Sequence, residues 1–99
     1  MRTKRHKVQY TFDSGGERGR DKVVVLEDSG ILSFVFPSGN SWRSHADEVR
    51  AALRGGTAGS PGFRMSRAGG DLRIEVDPPS GPCGVVRIAA SKMRAVIGR

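Results

Sequence analysis

Two apolar runs joined by a short turn set the first constraint on this chain. Residues 22–27 (KVVVLE) and 31–36 (ILSFVF) flank Asp28-Ser29-Gly30, where glycine is available for a positive φ. That arrangement reads as a β-hairpin. Both strands are apolar on both faces, so each needs cover from two sides. A homodimer would supply it, as would a curled sheet closing on itself.

The rest of the chain follows the same punctuated style. Val8, Tyr10 and Phe12 alternate with Gln9 and Thr11, the period-two pattern of a strand with one buried face. Ser14-Gly15-Gly16-Glu17-Arg18-Gly19-Arg20 reads as a glycine-rich loop, and Pro37-Ser38-Gly39-Asn40-Ser41 ends the hairpin. Ser44-His45-Ala46-Asp47 reads as a capping box. Ala46, Val49 and Leu53 then fall at helical spacing with Gly55 as the stop, which predicts a helix over 44–54.

Residues 55–62 (GGTAGSPG) read as a flexible connector. Beyond it, 63–67 and 71–76 alternate cleanly around Ala68-Gly69-Gly70 and predict a second hairpin. Val85–Ala89 reads as a further strand, and Ser91 as the cap of a short helix with Met93, Val96 and Ile97. A single helix over 85–97 fits the same spacing.

These readings predict an α+β fold: an antiparallel sheet with two helices on one face. The pseudo-halves 8–55 and 62–99 each have the order strand-strand-strand-helix and form one small domain, preceded by a basic arm at 1–7. That order resembles the one in Whirly-type and Pur-type single-stranded nucleic-acid binders. Those families have four strands per unit, and no motif here matches either. The resemblance implies nucleic-acid binding by fold analogy only.

Charge carries the functional expectation. The 99 residues hold 17 Lys and Arg against 10 Asp and Glu, a net +7, with a pI near 10.8. Such an excess favours polyanionic partners. It is unevenly spread. Residues 1–7 hold four bases and no acid, 8–55 six bases and seven acids, and 56–99 seven bases and three acids. A general preference of the genome for arginine would not partition the charge this way.

Three groups of cations are therefore candidate DNA or RNA contacts. Arg2, Lys4, Arg5 and Lys7 form the arm, which would neutralise phosphates and release counterions. Arg64, Arg73 and Arg87 fall opposite the apolar positions of three strands, which places them on one sheet face, where guanidinium groups suit phosphates. Arg18 and Arg20 flank small residues that let backbone amides approach an anion, though no GxGxxG is present and Glu17 and Asp21 interrupt the charge. Each group also has a plainer reading as a solvated terminus, a wet sheet face or a mobile loop.

A protein-interaction or regulatory module, from a high-GC bacterium or a phage, is the rival expectation. Its surface would be the helix over 44–54 or the apolar strands 22–36, with Val23, Val25, Ile31 and Val35 exposed. Trp42, beside the helix start, would join them or pack as a lid.

Catalysis and cofactors find no support. The one cysteine, Cys83, has no base nearby in sequence, and His6 and His45 lie far from it. A thiol needs such a partner to become a nucleophile. Two histidines and one cysteine give no metal spacing. No run approaches the ~20 apolar residues of a membrane helix, and no apolar segment follows the basic N-terminus as a signal peptide requires. A reducing, cytoplasmic setting is expected.

Overall fold

Alternating strands dominate the molecule because the short apolar repeats outnumber the helical ones. The computed structural model describes residues 3–78 and 83–98. In chain order the elements are β1 (Lys4–Ser14), β2 (Glu17–Asp28), β3 (Ile31–Val35), β4 (Ser41–His45), α1 (Ala46–Leu53), β5 (Ala58–Ser60), β6 (Phe63–Ala68), β7 (Asp71–Val76), β8 (Gly84–Ala89) and α2 (Ala90–Ile97). All eight strands form one antiparallel sheet in the order β4-β3-β2-β1-β8-β7-β6-β5.

The fold class differs from the α+β expectation. The described residues are 59% strand and 17% helix, and the sheet is a nearly closed, barrel-like surface with two short helices. The physical reason lies in β1 and β2, which run for 11 and 12 residues and are long enough to curl. The first strand pairs with the last through Tyr10–Ile88 and Phe12–Val86. This joins the two halves into one sheet rather than two layers.

Each half has four strands and a helix, one strand more than the sequence reading gave. Helix starts are fixed in the same way in both. The Ala46 N–H donates to the Gly30 carbonyl at 2.8 Å, and the Ala90 N–H to the Gly70 carbonyl at 2.9 Å. Each helix is thus tied to the second hairpin turn of its own half. Two arginines complete the opposite ends: Arg50 donates to the Ile97 carbonyl at 3.1 Å and Arg67 to the Leu53 carbonyl at 3.2 Å. Both satisfy carbonyls that a helix C-terminus leaves unpaired.

Several local boundaries shift. The helix expected over 44–54 runs from Ala46 to Leu53, because Ser44 and His45 complete β4. His45 is the N-cap, and Glu48 rather than Asp47 reaches back. The Glu48 carboxylate accepts the His45 N–H at 2.8 Å and the buried Ser44 hydroxyl at 3.1 Å. The glycine-rich loop shrinks to the Gly15-Gly16 turn, since Glu17–Arg20 pair with β1. The flexible connector contains edge strand β5. There Gly59 (φ +121°) comes so near the Phe63 carbonyl that any side chain would collide with it. Residues 85–97 are strand plus helix, with Ala89 rather than Ser91 as the cap.

The core lies inside the curl. Val8, Val23, Val25, Leu32, Phe34, Phe63, Met65, Leu72, Ile74 and Ile88 point inward, and Val49 of α1 and Met93 of α2 close it from the helix end. Every aromatic ring belongs to one file of contacts. It runs Phe12–Tyr10–Phe36–Trp42–Phe63–Phe34, with ring centroids 5.1 to 6.1 Å apart. Trp42 of β4 stacks on Phe63 of β6 at 5.3 Å and 17°. This contact crosses between strands that share no hydrogen bonds, and it is what draws the two edges of the sheet together.

Two stability measurements check this account. A double-mutant cycle on Trp42→Leu and Phe63→Leu, read by urea unfolding, is expected to give a favourable coupling of about 0.5–1.5 kcal/mol. Additive effects would show that the stack does not close the seam. The second concerns Glu48. The backbone N–H of His45, helped by the Ser44 hydroxyl, holds its carboxyl below the usual 4.5. A depressed folded pKa stabilises the protein above the unfolded value, and that stability is lost as pH falls through the folded pKa. Wild type should therefore lose stability below about pH 4.5, and Glu48→Gln should flatten that part of the profile.

Candidate interaction surface

With most of the inner face given to the core, the outer face of the curled sheet is the broad surface open to a partner. Residues paired across antiparallel strands share a face, so the register defines its pattern. One row runs Arg5–Leu26–Ser33–Arg43 across β1 to β4, and the next runs Lys7–Val24–Val35–Ser41. Ile31 adjoins them, paired between Asp28 and His45, and is 40% exposed. Val24, Leu26, Val35 and Ile31 thus form an apolar island on the outer face. Arg5 and Lys7 border it on one side and Arg43 on the other.

The second half of the outer face is arginine-rich. A row runs Ser66–Arg73–Arg87–Thr11–Arg20 across β6, β7, β8, β1 and β2. Beside it runs Arg64–Glu75–Val85–Asp13–Arg18. The acids answer some of this charge: Arg73 meets Glu75 at 2.7 Å and Arg18 meets Asp13 at 3.5 Å. Among the described residues Arg20, Arg64 and Arg87 have no ion-pair partner.

Each residue singled out from the sequence now has a place. Arg64, Arg73 and Arg87 stand on adjacent strands of the outer face, and Arg20 joins their row because β1 pairs with β8. Arg18 is exposed near the β1–β2 turn. Lys4, Arg5 and Lys7 are not an extended arm. They belong to β1 and pair with Glu27, Leu26 and Val24, because β2 is long enough to reach them. Arg2 lies outside the described residues.

Val23 and Val25 are fully buried and cannot belong to an exposed interface. Pairing of Val23 with Val8 and of Val25 with His6 fixes them inward, and this turns Val24 and Leu26 outward instead. Ile31 and Val35 are on the outer face. Trp42 is not: its ring is part of the core file, half-buried between Phe36 and Phe63. Sequence reasoning missed Val24, Leu26 and Arg43. The unbroken run Val23-Val24-Val25-Leu26 has no period from which to read which member faces out.

The surroundings of Cys83 disfavour its thiolate. Its thiol is exposed and donates to Asp77 Oδ1 at 3.0 Å, and that carboxylate pushes its pKa up. Among the described residues no three His, Cys, Asp or Glu side chains gather as a metal site would require. No helix there is long and apolar enough to cross a membrane.

No protein-family model matches this chain, and no curated protein matches its sequence. The fold has a solved counterpart. A structure described by the words "Mutations in SsgB correlate to longitudinal cell division during sporulation of Streptomyces coelicolor" is similar with a TM-score of 0.77. The match covers 99% of this chain and 83% of that one at 17% identity. At that identity the likeness concerns the fold.

Proposed function

We propose that the protein is a non-catalytic docking module that binds an acidic protein partner through the outer face of its sheet. The observation that carries this is the apolar island of Val24, Leu26, Ile31 and Val35 framed by Arg5, Lys7 and Arg43. An apolar centre with a charged rim is the anatomy of a protein interface. Each methylene that a partner removes from water contributes about 0.8 kcal/mol, a gain that a phosphate backbone would not supply. The basic rim selects acidic surfaces and speeds encounter. The likeness to SsgB directs the search for that partner toward bacterial division proteins.

Nucleic-acid binding is the second reading, favoured by the row Arg73–Arg87–Thr11–Arg20 with Arg64 beside it. Its contacts would be to phosphates. Single-strand recognition stacks bases on aromatic side chains; none of the six rings here stands on the outer face with the arginine row.

One set of variants separates the readings. Used as bait in a nuclease-treated lysate of the source organism, wild type should retain an acidic protein. Leu26→Gln/Val35→Thr, checked for unchanged thermal unfolding, should lose it, while Arg87→Ala/Arg20→Ala should keep most of it. Labelled single-stranded DNA, duplex DNA and RNA should bind only weakly, with a steep salt dependence. Micromolar or tighter binding at physiological salt, lost in Arg87→Ala/Arg20→Ala and kept in Leu26→Gln/Val35→Thr, would establish the second reading in place of the first.

A further inference from the structure

We infer that the open end of the curled sheet, opposite the helices, is a binding site for a small, uncharged, flat aromatic molecule. The helices seal one end of the curl through Val49 and Met93. At the other end lies a cavity of about 350 Å³ walled by Tyr10, Phe12, Phe36, Trp42, Val76 and Val86. This site lies apart from the apolar island of the outer face, and it stands whether or not that island docks a protein.

Three features define the guest. First, none of the described residues that line it carries a formal charge: the remaining contributors are serines, an asparagine, a glycine, a proline and a further valine. Tyr10 stays neutral, since burial pushes its hydroxyl pKa up, with the nearby Asp21 charge adding to the effect. A charged group placed here would lose its hydration with no ion to answer it. An uncharged guest avoids that cost, and Ser14, Ser38 and Asn40 leave room for a single polar substituent.

Second, the walls are rings. Phe36 stands edge-on to both Tyr10 and Trp42, each at 77°. Perpendicular ring walls offer both faces and edges, the surfaces that an aromatic guest prefers. Third, the cavity falls at the small end of the roughly 300–1,000 Å³ range of ligand pockets, and barrel mouths are a common place for them. Two or three fused or linked rings match that size.

The cavity is also held open by the sequence. Phe12 leans across the strand onto Gly19, where an added Cβ would come within 2.7 Å of the Phe12 ring tip. Glycine at that position lets the ring lie back against β2 as a wall instead of folding inward to fill the space. Trp42 and Phe12 are half-buried beside the cavity.

The test uses N-phenyl-1-naphthylamine, an uncharged aromatic probe whose emission rises in apolar sites, titrated against the full chain. Trp42 is the sole tryptophan, so excitation of it reports a probe bound beside it. The expected result is saturable, one-to-one enhancement with emission sensitised by Trp42. Val76→Phe, which fills the cavity, and Ser38→Phe, which blocks its rim, should each weaken binding at least tenfold. Leu26→Gln/Val35→Thr on the outer face should leave it unchanged. Enhancement that neither Val76→Phe nor Ser38→Phe alters, or that the outer-face variant abolishes, would overturn the assignment. So would the absence of a saturable signal, or tighter binding of the anionic 8-anilinonaphthalene-1-sulfonate at the same cavity.

Discussion

The stack of Trp42 on Phe63 is the contact on which the architecture turns. An eight-stranded sheet has two free edges, here β4 and β5, and no hydrogen bonds join them. Exposed edges invite pairing with other chains. This protein brings its edges together with side chains: Trp42 lies on Phe63, Phe63 touches Phe34, and α1 packs along β5 and β6. Once the seam is drawn in, the helix side of the inner face is closed to solvent and its other end stays open at the cavity beside Phe12 and Trp42. All six aromatic residues are committed to that interior.

Closure decides what remains for function. The inner surface is spent on the core, the helix end is sealed, and two surfaces stay available. One is the outer face, with its apolar island over β2 and β3 and its arginine row over β1, β2, β7 and β8. The other is the aromatic mouth. The first is the surface proposed to dock a large partner and the second the pocket proposed for a small one.

Much of this was legible in the sequence, and the failures have identifiable causes. Alternation placed Val8, Tyr10, Phe63, Met65, Leu72 and Ile74 inward, and the turns at Gly30 and Gly69-Gly70 located two hairpins. Curling of the sheet was one of two solutions the doubly apolar hairpin allowed. The seam strands were not legible. Ser41–His45 and Ala58–Ser60 are short, polar or glycine-bearing, and their strand character comes from neighbours rather than from their own pattern. Lys4–Lys7 read as an arm because charge conceals a strand whose partners lie 17 to 23 residues away in sequence. Arg20 could not be placed with Arg73 and Arg87 until β1 was seen to pair with β8. The parity of Val23-Val24-Val25-Leu26 was decided only by register, which turned Val23 and Val25 of the expected interface inward and left Ile31 and Val35 outside.

The most direct measurement of the central claim is site-specific photo-cross-linking in living cells of the source organism. A benzoylphenylalanine would replace Ile31 at the edge of the island and, in a second strain, Arg64 on the arginine half. The account predicts a discrete protein adduct from position 31 that survives nuclease, and little from position 64. An adduct from position 64 that nuclease removes, with none from position 31, would contradict it and make the arginine row the working surface.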